Sequence, residues 1–417
     1  MGAITYEIPE SAAPARAVAA APAPKRIPEL DGLRGVAIGM VVLYHAFLFH
    51  VVPRHGSLLA YALTPVRIGW SGVDLFFVLS GFLIGGILLD ARDARNYFST
   101  FYIRRFFRIV PIYYATLLAL LALSIVARYH PGVPADWKMD GLLSLYVFPL
   151  FVHNIWMAAC NTMGPGMLPV FWSLGVEEQF YLTLPLLVRY CTRRRLATIA
   201  VEAILLAPIL RLVLYSFLPK HPLAWFVLMP CRADSLFFGV LAAVALRDVS
   251  CKAWLAAHRS LLRAVIVIFA LGLPFVTQTD MLANGLFMVS LMLSWLAAFY
   301  CLVLVYAMSF PDSLPARCLR WPWLRWLGTI AYGMYLLHIM VLSLVVDYLG
   351  AALHLHSPLA QLLAASLAIA VTWALSSASW LYFEKPLVAR GHRLIYESDS
   401  RTSVLSAEYS AAPVAHS

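Results

Sequence analysis

Charge is scarce in this chain. Of its 417 residues only 12% are Asp, Glu, Lys or Arg, about half the roughly 25% usual in a soluble domain. A water-soluble globular enzyme is thereby excluded. The six cysteines, Cys160, Cys191, Cys231, Cys251, Cys301 and Cys318, show no C-x-x-C spacing. They suggest neither a metal site nor a disulfide framework. A cleavable leader is not expected, because Pro9, Pro14, Pro22 and Pro24 interrupt any apolar core near the start. No internal repeat and no G-x-S-x-G elbow stand out. What the chain has is apolar mass. It is 62% hydrophobic, which places it among polytopic membrane proteins. The net charge of +10 is then read as basic cytoplasmic loops rather than as a nucleic-acid surface.

Apolar runs long enough to cross about 30 Å of hydrocarbon fall near 35–52, 73–90, 109–127, 171–190, 196–217, 232–247, 262–277, 283–309, 328–349 and 359–383. The expected fold is an all-α bundle of about ten transmembrane helices. Arginine arbitrates the orientation. Arg92, Arg95, Arg104, Arg105 and Arg108 follow the second run, and Arg189, Arg193, Arg194 and Arg195 follow the fourth. Further clusters follow the sixth, eighth and tenth runs, so every second connection is basic and assigned to the cytosol. Both termini are then cytoplasmic. An eleventh span at 142–158 would invert every later loop, so this stretch is placed in a long outer loop, 128–170. Its prolines Pro131, Pro134, Pro149, Pro165 and Pro169 would shape an acceptor groove or a passive connector. The domain reading is a disordered tail over 1–28, a membrane domain over 29–390 and a largely disordered cytoplasmic tail over 391–417.

Ionisable residues inside the apolar runs are costly and mark candidate function. The first run, PELDGLRGVAIGMVVLYHAFLFH, holds Arg34 and His45. Their spacing of eleven leaves them about 20° apart around a helix and about 16 Å apart along it. Arg34 therefore lies at one membrane surface and His45 near mid-depth on the same face. The competing reading is a histidine that only bonds a neighbouring helix for packing. The second run carries Asp74 at its outer end, with Ser80 in the middle. Gly81, Gly85 and Gly86 beside it allow close helix approach. Ser80 is read as helix glue rather than as a nucleophile. FYIRRFFRIVPIYY places Arg104, Arg105 and Arg108 before an apolar run. Guanidinium forks match phosphate oxygens, so these form a candidate phosphate cradle, in competition with plain positive-inside flanking. FWSLGVEEQFYL buries Glu177 and Glu178, about 100° apart around a helix, with Tyr181 following. One of the two faces the site, where it would orient a histidine, or it pairs with Arg34 or Arg232 as a helix lock. Arg232 and Asp234 stand at the outer end of the sixth run, and Tyr332, Tyr335 and His338 form a stripe in YGMYLLH.

These segments, LDGLRG with His45, GVDLFFVLSGFLI, FYIRRFFRIVPIYY, FWSLGVEEQFYL, CRADSLFFG, YGMYLLH and the closing FEKP, resemble acyltransferase family 3 over about residues 30–390. The resemblance implies a bacterial inner-membrane enzyme of about ten spans that O-acylates carbohydrates, using acyl-CoA, most simply acetyl-CoA, from the cytoplasm. It implies that Arg34 and His45 match an Arg-x10-His pair and that Arg105 and Arg108 match an Arg-x-x-Arg donor site. The catalytic candidates are then His45, Arg34, Glu177 and Glu178. Arg104, Arg105 and Arg108 are donor-binding candidates, and Asp74, Tyr181, Arg232, Asp234, Tyr335 and His338 are substrate-binding candidates. No metal is expected. Some relatives carry an extracytoplasmic SGNH hydrolase-like domain, which this chain is not expected to have. Two alternatives stay open: an acyltransferase acting on a small metabolite such as a macrolide sugar, and a proton-coupled transporter. Whether the acyl group moves directly or through an acyl-histidine also stays open.

The arginine pattern predicts that reporter fusions after Ala91, Arg194, Ala256 and Arg390 will be cytosolic, and those near Asp136 and Ser357 external. A cytosolic reporter at Asp136 would overturn the ten-span reading.

Overall fold

The computed structural model describes residues 27–130, 133, 137, 146–164, 166–278 and 285–397. Residues 1–26 and 398–417 of the expected tails, the reporter site Asp136 and the loop prolines Pro131, Pro134 and Pro165 lie outside the described residues, whereas 391–397, the start of the expected C-terminal tail, are described. Among those described there is no strand. The helices in chain order are α1 (Pro28–Leu43), α2 (Leu58–Leu63), α3 (Gly72–Asp90), α4 (Tyr97–Tyr129), α5 (His153–Cys160), α6 (Trp172–Tyr190) and α7 (Arg193–Phe217). There follow α8 (Ala224–Val227), α9 (Ala233–Ala245), α10 (Val249–Ala257), α11 (Arg259–Leu271), α12 (Leu273–Gln278) and α13 (Leu293–Ser309). The last are α14 (Leu314–Leu319), α15 (Pro322–Thr329), α16 (Ala331–Leu342), α17 (Gly350–Ala352), α18 (Pro358–Ser379) and α19 (Lys385–His392).

The helix starts follow local chemistry. Pro28 opens α1, with Glu29 and Asp31 in its first turn, where a missing N–H costs nothing and negative charge suits the helix dipole. Thr192 and Ser357 cap α7 and α18 by accepting the N–H groups of Arg195 and Ala360. Four wider π-turns interrupt or end helices, at Tyr44–Leu48, Met288–Met292, Ser343–Leu349 and Trp380–Glu384.

Each of the ten expected runs falls on a helix. Among the described residues eight helical stretches are long and apolar enough to cross a membrane, or nine if Met229–Ala245 and Val249–Ala257, bent by 97°, count as one span. The fourth run, α6, is not among them, since Glu177, Glu178 and Gln179 dilute its apolar character. α5 is eight residues long, about 12 Å, and cannot cross a bilayer.

The most apolar 18-residue window of Leu58–Asp90 is 83% buried and Arg259–Val276 only 6%, so α3 is the central post and α11 lies at the rim. α3 packs along α9 through glycine. A Cβ at Gly81 would stand 1.9 Å from the carbonyl of Leu236, and one at Gly239 would stand 2.0 Å from the carbonyl of Val78. Backbones this close need small residues. Gly85, by contrast, would carry a Cβ in ordinary contact with α9.

A buried arginine ties the rim to this centre. Arg211 on α7 is fully buried, and all five of its N–H groups are used. Nε donates to Val289 O at 2.8 Å, and Nη2 donates to Ser290 O and Ser294 Oγ at 2.9 and 2.8 Å. Nη1 donates to Cys231 O at 2.6 Å and Asp234 Oδ2 at 2.9 Å. This one side chain thereby joins α7, α9 and α13. Arg211→Met should lower stability by about 3–5 kcal/mol, because Asp234 is left buried without its counter-charge. Thermal melting in detergent reads this, and combining the change with Asp234→Leu should recover part of the loss.

Candidate functional site

His45 lies in the π-turn that ends α1, a widening of the kind often found at functional sites. Its Nδ1 is 2.9 Å from Val41 O and 3.3 Å from Nε2 of His338, which is fully buried on α16. The partners fix the hydrogens. His338 Nδ1 faces the carbonyls of Tyr335 and Met334, at 2.8 and 3.1 Å, so Nδ1 carries the hydrogen and Nε2 accepts. His45 Nδ1 faces a carbonyl and that accepting nitrogen, so it too carries a hydrogen. Nε2 of His45 is left with a lone pair and no hydrogen bond among the described residues. The sequence set His338 in a stripe with two tyrosines. The structure adds that this stripe meets His45.

A polar column runs from this pair toward the start of α1. Tyr335, whose ring centre is 5.8 Å from that of His338, donates to Val170 O at 2.7 Å, and its hydroxyl lies 2.7 Å from Ser173 Oγ. Beyond it stands Glu177 on α6, beside the hydroxyls of Ser80 and Tyr181, which are themselves 2.5 Å apart. Glu177 interacts with the guanidinium groups of Arg34 and Arg105. Arg108 follows, next to Arg34, Arg105 and Glu384. Arg34, Arg108 and Glu177 are each only partly buried, so all three keep some accessible surface.

Glu177 is thus the member of the carboxylate pair set among arginine and hydroxyl groups. Glu178 interacts with Glu177 and Arg105 and lies toward Tyr113 and Tyr332. The three candidate donor arginines also separate. Arg105 lies over the rings of Tyr181 and Phe101, at 5.5 and 5.9 Å. Arg104 turns away: its Nε and Nη2 donate to Leu394 O at 2.9 and 2.5 Å, with Tyr396 stacked on it at 4.9 Å. That contact, with Asn96 donating to Ile395 O and Arg95 N to Glu397 O, holds residues 394–397 against the start of α4.

Asp74, Arg232 and Asp234 form a separate, sealed centre. Asp74 Oδ1 accepts from Arg232 Nη2 at 2.6 Å and from Ser235 Oγ at 2.9 Å. Arg232 is 1% exposed, with Phe77, Trp172 and Phe226 rings 5.3–5.6 Å from its guanidinium. It is taken by Asp74 rather than by Glu177 or Glu178. The hydrogen bonds of its carboxylates stay within α3, α7, α9, α13 and Arg232 and do not reach His45 or Arg34. Among the described residues, no group of three or more His, Cys, Asp or Glu is placed to hold a metal ion.

Sequence reasoning passed over Arg211 and Glu384. A lone arginine inside the apolar run 196–217 was a usable signal for the first. Glu384 was hidden at the end of a span, where charge is ordinary. The π-turn Trp380–Glu384 is what turns it inward, with Ser379 Oγ donating to it at 2.9 Å.

A sequence model of the acyltransferase domain family matches residues 27–377. The chain is similar to the peptidoglycan O-acetyltransferase OatA of Listeria monocytogenes, 26% identical over 88% of this chain and 56% of that protein. It is similar to the putative peptidoglycan O-acetyltransferase YrhL of Bacillus subtilis, at 29% over the same shares, 88% and 56%. The O-acetyltransferase OatA of Staphylococcus aureus is 24% identical over 78% of this chain and 52% of its own length. The chain therefore spans about half the length of the curated relatives it matches. No solved structure matches it.

Proposed function

The chain belongs to the acyltransferase domain family, and from that premise we propose that it is a membrane O-acetyltransferase. In this reading it moves an acetyl group from acetyl-CoA at the cytoplasmic face to a hydroxyl of a surface polysaccharide. The observation that carries the reading is the His45–His338 pair at the inner end of the arginine-lined column. The polysaccharide acceptor is taken from the relatives, two of which are named for peptidoglycan O-acetylation.

The residues divide the work by chemistry. Arg105 and Arg108 bind donor phosphates, for which the guanidinium fork is suited. The charges of Glu177 and Glu384 interact with these arginines and limit their mutual repulsion. His45 Nε2 takes the proton of the acceptor hydroxyl as that oxygen attacks the thioester carbonyl. The C–S bond then breaks, and CoA leaves as the thiol after its sulfur takes up the proton from His45 Nε2. His338 keeps His45 in the tautomer this step requires, since a hydrogen held on Nδ1 leaves Nε2 basic. In the competing two-step route the same nitrogen attacks first and carries the acetyl group.

His45→Gln should leave insertion and acetyl-CoA binding intact and cut turnover by about 10²–10⁴, the usual worth of a general base. A larger loss favours the acyl-histidine route. Activity within a few-fold of the parent, in purified folded protein, would remove His45 from the chemistry.

For the donor, changing both Arg105 and Arg108 to Ala should weaken acetyl-CoA binding by at least tenfold, with little change in melting temperature. Lysine at both positions should restore only part, because a point charge lacks the fork. Unaltered donor affinity in the double alanine variant would reduce this pair to topology determinants.

A further inference from the structure

On the side of His45 away from the arginines, a second set of polar groups continues without a break. His50 Nδ1 donates to the backbone carbonyl of His45 at 2.9 Å, and its Nε2 lies 3.3 Å from Asp347 Oδ1. Both ring nitrogens face acceptors, so both carry hydrogen and the ring is cationic. Asp347 Oδ2 accepts from Ser343 Oγ at 2.8 Å, and Ser343 Oγ accepts from the indole of Trp137 at 3.0 Å. The Asp347 carboxylate is thus fixed in orientation. It nevertheless has a side chain 43% exposed. A carboxylate offers about four acceptor directions. Two are taken here by the described residues.

Aromatic faces stand next to this carboxylate and its histidine. Phe49 is 64% exposed and stacks on His45, with ring centres 5.7 Å apart and planes 16° apart. Tyr348 is 39% exposed and leans on Trp137 at 5.9 Å. Both His45 and Asp347 sit in π-turns, Tyr44–Leu48 and Ser343–Leu349, which turn them out of plain helical register. An oriented carboxylate with open aromatic faces suits a sugar ring. Hydroxyls bond the carboxylate, and the ring's apolar face stacks on the aromatic surface.

We propose that His50, Asp347, Phe49 and Tyr348 form the acceptor subsite, which binds a sugar ring through neighbouring hydroxyls and presents one of them to His45 Nε2. The inference rests on the acyl-transfer reading and adds where the acceptor sits and what recognises it. In this arrangement Asp347 and the imidazolium of His50 are binding groups, and His45 alone handles the transferred proton.

The test uses the purified full chain in nanodiscs and a panel of neutral hexose, N-acetylhexosamine and hexuronate oligosaccharides, with binding read by calorimetry. The parent should bind at least one member. Asp347→Asn and Tyr348→Ala should each weaken that binding tenfold or more, with the acetyl-CoA dissociation constant within twofold of the parent's. If Asp347→Asn does not extract as a monodisperse protein, Phe49→Ala and Tyr348→Ala, at exposed positions, carry the same test. Failure of the parent to bind any sugar overturns the proposal, as does equal binding by the variants. The last result would mean that the His50–Asp347 pair only fastens two helix ends. Retained transfer by His45→Gln would instead strike the acyl-transfer reading while leaving a loss of sugar binding in place, so the two failures are distinguishable.

Discussion

A charge carried into hydrocarbon must find its counter-charge inside the protein, because lipid supplies none. The bundle meets this constraint in two different ways. Arg211 with Asp234, and Arg232 with Asp74, are sealed pairs with side chains at most 1% exposed. Such pairs gain little net energy over apolar packing, but losing one partner is expensive. Their effect is to make one arrangement of α3, α7, α9 and α13 the one in which every charge is matched. Arg34, Arg105 and Arg108 are treated otherwise. They stand near one another, face Glu177 and Glu384, and keep accessible surface. Three cations facing two carboxylates leave positive charge in excess, which a bound anion would offset. That is the physical basis for reading a phosphate-bearing ligand there.

The site depends on departures from regular helix as much as on charge. A straight α1 would project His45 along the same face as Arg34. The π-turn shifts the ring so that Nδ1 meets both its own helix and His338. The turn at Ser343–Leu349 does the same for Asp347, and that at Trp380–Glu384 carries Glu384 inward toward Arg108. The contacts of His45, Asp347 and Glu384 therefore sit at places where a helix spends an extra residue in one turn. The tight glycine contact of α3 with α9 provides the opposite, a rigid post against which these turns are measured.

How much was legible beforehand follows from what helical geometry can and cannot transmit. The ten apolar runs, the presence of Arg34 and His45 on one helix, and the costly carboxylates in the fourth run are properties of single segments. Periodicity and hydropathy fix them without reference to any neighbour. The positive-inside pattern likewise needs only a count of arginines in loops. The family resemblance was legible for the same reason, since its motifs are local strings.

Contacts between segments were not legible, because the rotation and depth of one helix against another depend on packing along its whole length. Hence the sequence left Glu177 and Glu178 equivalent, and the fold set Glu177 between Arg34 and Arg105. It grouped Arg104 with Arg105 and Arg108, and the fold gave Arg104 to the carbonyl of Leu394. It proposed Asp74, Arg232 and Asp234 beside a substrate, and the fold enclosed them in ion pairs with no accessible surface to offer. The segments alone determined that this chain crosses a membrane and carries a histidine at depth. Only the tertiary structure decided which nitrogen of that histidine is free, because the answer lies on another helix, in the ring of His338, 293 residues away.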